Sequence, residues 1–70
     1  MRLRIGRSRL PRLLANREMS QAELARRLSV SDAFISQVIS GSKYLSLETA
    51  YRAARILRCT VEDLYELIEE

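Results

Sequence analysis

Apolar residues return every three or four positions through most of this chain, and a small hydroxyl residue stands just ahead of most such runs. That rhythm predicts five short helices. The first begins after Ser8 and runs through Asn16 or Arg17, with Leu10, Leu13 and Leu14 as its apolar stripe. Pro11 falls in its first turn, where a missing N–H breaks no intrahelical bond. The second opens on Ser20 with Glu23 three positions on, the reciprocal capping pair that satisfies two free N–H groups, and continues through Ala22, Leu24, Ala25 and Leu28. Ala25 is the expected point of close helix approach. Ser29 and Val30 form a turn with Val30 as its apolar plug, and Ser31 caps the third helix, whose buried face is Phe34 or Ile35 with Val38. Gly41 ends that helix where a left-handed residue is needed. A fourth helix after Ser46 carries Leu47, Ala50, Tyr51, Ala54 and Leu57. A fifth follows Thr60, with Asp63 as its capping partner and Val61, Leu64, Tyr65, Leu67 and Ile68 as its apolar positions.

Residues 1–6 depart from this rhythm, because basic and apolar side chains alternate as in a short strand. Six residues make no sheet alone, so the segment is expected as a packed extension or a mobile arm unless a second subunit pairs with it. Residues 1–70 are read as one helix-turn-helix domain, with an arm or strand over 1–6, the helix-turn-helix over 20–40, and a final helix with an acidic tail over 61–70. Seventy residues enclose one small core, and an apolar fraction of 47% with two glycines and one proline argues for a folded all-α chain. One cysteine forms no internal disulfide, and without histidine a zinc finger is excluded. Cys59 reads as a small core residue, with a redox role as the alternative. Apolar runs are too short to cross a bilayer, and no signal peptide stands at the start, so a cytoplasmic protein without membrane contact is expected.

The net charge of +3 hides a strong asymmetry. Residues 1–60 hold all 12 basic side chains and four acids, whereas residues 61–70 hold five acids and no base. The basic part is expected to face a polyanion, although six arginines within the first 17 residues equally suit a solvated helix and a frayed end.

Burying the apolar face of the third helix leaves Asp32, Ala33, Ser36, Gln37 and Ser40 pointing outward. Gln37 can present a donor and an acceptor to adenine, Ser36 suits a base or a phosphate, and the Ala33 methyl suits thymine. Asp32 is either an acceptor for cytosine or a first-turn acid that favours the helix dipole. Ser20 and Gln21 stand where the second helix can hold a DNA phosphate, and Ser42, Lys43 and Tyr44 follow in a loop suited to the DNA backbone or simply to solvent. Arg2 and Arg4 can reach a groove or hold phosphates nonspecifically.

These residues resemble the Cro/repressor-type helix-turn-helix proteins of phages and bacteria, often called the XRE family. The resemblance covers about residues 10 to 65 and rests on Ser20-Gln21-Ala22-Glu23-Leu24-Ala25, Val30-Ser31, Ile35-Ser36, Gly41, Ser46-Leu47-Glu48-Thr49 and Leu57 through Leu64. It implies a compact five-helix, lambda-repressor-like domain that acts as a homodimer on a roughly palindromic operator, often as a repressor. It also implies that Gln21 contacts phosphate, that Asp32, Ala33 and Gln37 occupy base-reading positions, and that Lys43 and its neighbours follow the backbone. The chain departs from the family pattern at Glu18 and Ser29, where glycine is common, at Ile39, where an acid is common, and at Leu45, where proline is common. Leu3, Ile5, Tyr65, Leu67 and Ile68 are candidates for the dimer contact.

The expected function is therefore sequence-specific binding of double-stranded DNA by a small transcriptional regulator, associated with the bacterial nucleoid when bound. An antitoxin or recombination accessory factor working with a heterologous protein is the alternative, and a protein-interaction module without DNA binding is a third reading. No cofactor, metal site or small-molecule effector is expected. The absence of histidine, of a nucleophile paired with a base, and of a phosphate-cradling glycine loop argues against an enzyme.

Overall fold

Three of the serines read as caps perform that role in the computed structural model, which describes residues 1–70. Ser20 Oγ accepts the Glu23 N–H at 3.1 Å, Ser31 Oγ accepts that of Phe34 at 3.0 Å, and Ser46 Oγ accepts that of Thr49 at 3.2 Å. Each removes one of the free donors that every helix start exposes. The helices they open are α2 (Gln21–Leu28), α3 (Asp32–Ser40) and α4 (Leu47–Leu57), preceded by α1 (Leu10–Asn16). Capping at Ser20 is one-sided, because the Glu23 carboxylate turns instead to Arg27 one helical turn on, at 2.7 Å.

The expected fifth helix over 61–70 is not formed. Thr60 and Asp63 do pair, with the Thr60 N–H donated to Asp63 Oδ2 at 2.9 Å, but they open a single 3-10 turn, Val61–Leu64. The chain then extends as β2 (Tyr65–Glu69), antiparallel to β1 (Leu3–Ser8). The domain is thus four helices with a two-stranded sheet. The alternating N-terminal segment finds its partner within its own chain, and that partner is the tail read as helical. Register runs Leu3 to Glu69, Arg4 to Ile68 and Ile5 to Leu67, then shifts before Ser8 meets Tyr65. Gly6 sits at this irregularity, where an added Cβ would lie 3.1 Å from the Glu66 Cβ and 3.2 Å from its backbone oxygen. A side chain there would force the strands apart.

Twelve apolar residues form the core: Leu10 and Leu14 of α1, Leu24, Ala25 and Leu28 of α2, Ile35 and Val38 of α3, Ala50, Ala53, Ala54 and Leu57 of α4, and Leu64. Ile35 is the fully buried member of the Phe34/Ile35 pair, and Phe34 is half-buried. The buried face of α4 differs from the expected one. Leu47 and Tyr51 are 79% and 55% exposed, and Ala53 is fully buried. Three alanines let α4 approach its neighbours closely, which Tyr51 would prevent. Ala22 is also exposed. Cys59 is half-buried against the core, and burial pushes its thiol up, with the Asp63 charge adding to the rise.

Arginines tie the helix ends together. Arg17 Nε donates to the Leu57 carbonyl at 3.1 Å, and the Arg52 guanidinium donates to the carbonyls of Leu28 at 3.5 Å and Arg27 at 3.4 Å. Both satisfy carbonyls that a helix end leaves free.

Glu18 and Ser29, standing where glycine is common in the resembling family, adopt the left-handed conformation without it, at φ 53° and 58°, and Arg58 does so at 57°. That conformation costs a non-glycine residue roughly 1–2 kcal/mol, of which glycine's greater freedom in the unfolded chain cancels part. Glu18→Gly is therefore expected to stabilise the fold by about 0.5–1 kcal/mol and raise Tm by roughly 2–8 °C, read by thermal melting. Asp63 supplies a pH dependence. The Thr60 backbone N–H, followed by the Thr60 hydroxyl, holds its carboxyl below the ordinary 3.8. The carboxyl titrates lower in the folded than in the unfolded chain, so its stabilisation is full above about pH 4 and is lost as pH falls through the native value. Asp63→Asn should flatten the acid limb of the stability profile below pH 4 and leave the slope near neutrality unchanged.

Candidate nucleic-acid interface

The surface formed by α2 and α3 begins with how firmly α3 is held. Ile35 and Val38 anchor it in the core, and Ile39, where an acid is common in the resembling family, is half-buried against the same cluster. Its last turn closes largely on one acceptor, and the Gly41 N–H also reaches the Val38 carbonyl at 3.2 Å. The Gln37 carbonyl takes the N–H groups of Gly41, Ser42 and Lys43 at 3.1, 3.0 and 3.2 Å and the hydroxyls of Ser40 and Ser42 at 3.1 and 3.3 Å. Gly41 permits this closure at φ 92°, a value at which any side chain would be strained. The loop after α3 is thereby fixed to the residue whose side chain points away from the protein.

The outward row consists of Asp32, Ala33, Ser36, Gln37 and Ser40, all exposed. The Gln37 side-chain amide makes no hydrogen bond within the chain, so both its donor and its acceptor are free. Ser36 is engaged: its hydroxyl donates to Gln21 Oε1 at 3.2 Å. That bond holds the oxygen of the Gln21 amide and leaves its NH2 group, near the start of α2, without a partner in the chain. Ser36 thus positions Gln21 more directly than it offers itself to a base, a role not legible from its exposure alone. Ser20 spends its Oγ on the cap.

Beyond α3, Ser42 is bonded to the Gln37 carbonyl and Lys43 is exposed without an ion pair. Tyr44 lies against Tyr65 with ring centroids 5.9 Å apart, and the Tyr65 hydroxyl accepts the Leu45 N–H at 3.1 Å. Burial raises the Tyr65 pKa. Tyr65 therefore braces the loop from β2, so of the five residues read as a dimer contact it is turned inward. Leu3, Ile5 and Leu67 share one exposed face of the ribbon, Ile5 directly opposite Leu67, while Ile68 is half-buried on the other face opposite Arg4. Arg4 Nε reaches Glu70 at 3.5 Å, and Arg2 exchanges backbone hydrogen bonds with Glu70. Neither belongs to a free arm. Two exposed side chains expected on one side of the fourth helix with Ala50, Ala54 and Leu57, Leu47 and Tyr51, form a separate patch with Glu48 and Arg52. No group of three His, Cys, Asp or Glu side chains is placed to hold a metal ion, and no helix is long and apolar enough to cross a membrane.

The profile of the Cro/C1-type HTH DNA-binding domain matches residues 9–70. Among solved structures, the transcriptional regulator VanUg, crystal form II, is similar with a TM-score of 0.73 at 24% identity, covering 100% of this chain and 92% of that one. That likeness shows a common fold. No curated protein matches the sequence.

Proposed function

The chain belongs to the Cro/C1-type helix-turn-helix DNA-binding domain family, and from that premise we propose that it represses transcription as a homodimer on a palindromic operator. The observation that carries the reading is the unbonded Gln37 amide, presented by a helix whose end is locked through the carbonyl of the same residue. With Ala33 one turn earlier, it reads base edges in the major groove. Asp32 accepts from cytosine at the head of the same row. The Gln21 amide, oriented by Ser36, and Lys43 hold phosphates on either side, and Ser20, Ser42, Tyr44, Arg2 and Arg4 complete the backbone contacts. Leu3, Ile5 and Leu67 form the dimer contact, and Ile68 and Tyr65 support it from behind. Two copies then place their α3 helices about one DNA turn apart, so symmetry multiplies a modest discrimination per half-site.

Selection of bound duplexes from a random pool, followed by sizing of the complex, tests this reading. A palindromic consensus with two proteins bound is the expected result, and recovery of no consensus would exclude sequence-specific regulation. The exposed Leu47–Tyr51 patch favours a second reading, an antitoxin or recombination accessory that docks a different protein there. Sizing the purified chain separates the two, since a self-contained repressor dimerises alone.

A further inference from the structure

The helix-turn-helix unit carries little of the positive charge that DNA binding needs. From Ser20 to Tyr44 the chain holds Arg26, Arg27 and Lys43 against Glu23 and Asp32, a net charge of +1, and Arg27 is bound to Glu23. Helix α3 has no basic residue at all. The first 17 residues hold six arginines and no acid. Three of these, Arg7, Arg9 and Arg12, converge with Ser8, Pro11 and Glu66 on an open cleft of about 380 Å³. The two ion pairs of the molecule, Arg4–Glu70 and Arg27–Glu23, involve none of the three, and their guanidinium groups make no hydrogen bond within the chain. Three unpaired, planar, five-donor cations around a polar cleft match the oxygens of a phosphate group.

Resting on the DNA-binding reading above, we propose that Arg7, Arg9 and Arg12 form a second site for DNA backbone phosphate, outside the surface of α2 and α3. Strand β1, which carries Arg7, packs against α3. Glu66 moderates the site. Its carboxylate lines the cleft without bonding to any of the arginines, and an incoming phosphate is repelled by it.

The test is duplex affinity as a function of salt for the full chain and two variants. The R7Q/R9Q/R12Q variant is expected to bind every duplex about tenfold or more weakly, with the magnitude of the log–log salt slope reduced by about two to three and sequence preference unchanged. E66Q is expected to bind every duplex about two- to fivefold more tightly, a gain that misfolding does not produce. Wild-type affinity and salt slope in the triple variant, or no gain in E66Q, overturns the proposal while leaving sequence-specific binding intact. Guanidinium NMR signals of the three arginines that move with inorganic phosphate but not with duplex also overturn it, assigning the cleft to a free anion. Failure of the wild-type chain to bind any duplex removes the DNA-binding reading itself.

Discussion

Ile35→Ala is expected to remove a large share of the stability of the fold, by about 2–5 kcal/mol, because Ile35 is fully buried in a core to which all four helices contribute. A domain of this size holds on the order of 4–10 kcal/mol in total, so the variant should be partly unfolded near 37 °C. The loss falls where it matters for recognition. Ile35 lies between Ala33 and Gln37 in sequence and on the opposite face of α3, so truncating it frees the helix to shift before the chain unfolds. Urea denaturation gives the stability change, and Phe34→Ala, truncating a half-buried neighbour, should cost visibly less. Equal losses at the two positions would mean that the buried face of α3 is not the one described.

Gln37→Ala should leave stability within about 0.5 kcal/mol of the starting protein, as an exposed position demands, and remove discrimination at one base pair of each half-site. A bidentate contact to adenine is worth about 1–3 kcal/mol, or roughly 5- to 150-fold between the preferred and the wrong base, and two half-sites compound it. Lys43→Gln supplies the contrast. It should weaken all duplexes alike and lower the salt slope by about one. Competition binding with single-base variants of the selected operator separates the two patterns. Uniform weakening in Gln37→Ala would assign this side chain to the backbone instead of the base.

How much could be read ahead of the structure divides along the range of the interactions. Ser20, Ser31 and Ser46 were legible as caps because each bonds an N–H three residues away, a contact that sequence spacing displays directly. The exposed row on α3 followed from its periodicity. Residues 61–70 misled because Val61, Leu64, Tyr65 and Ile68 fit the helical interval, while Tyr65, Leu67 and Glu69 fit the interval of a strand. The deciding partner, β1, is some sixty residues away, and no local pattern announces it. The face of α4 was misread for a different reason. Large apolar side chains at Leu47 and Tyr51 suggest burial, yet close packing selects the alanines. The tie between Ser36 and Gln21, and the clustering of Arg7, Arg9 and Arg12 around a cleft, depend on three-dimensional placement that spacing does not encode.

The pairing of Arg2 with Glu70, through N–H to carbonyl bonds of 3.0 and 2.8 Å in both directions, brings the two ends of this sequence to the same spot. Polypeptide fused ahead of residue 1 and polypeptide fused after residue 70 would leave the body side by side, sharing one exit. A bulky tag on either end would crowd the other and shield Leu3, Ile5 and Leu67 together. A short linker across the gap would close the chain into a ring without disturbing the helices.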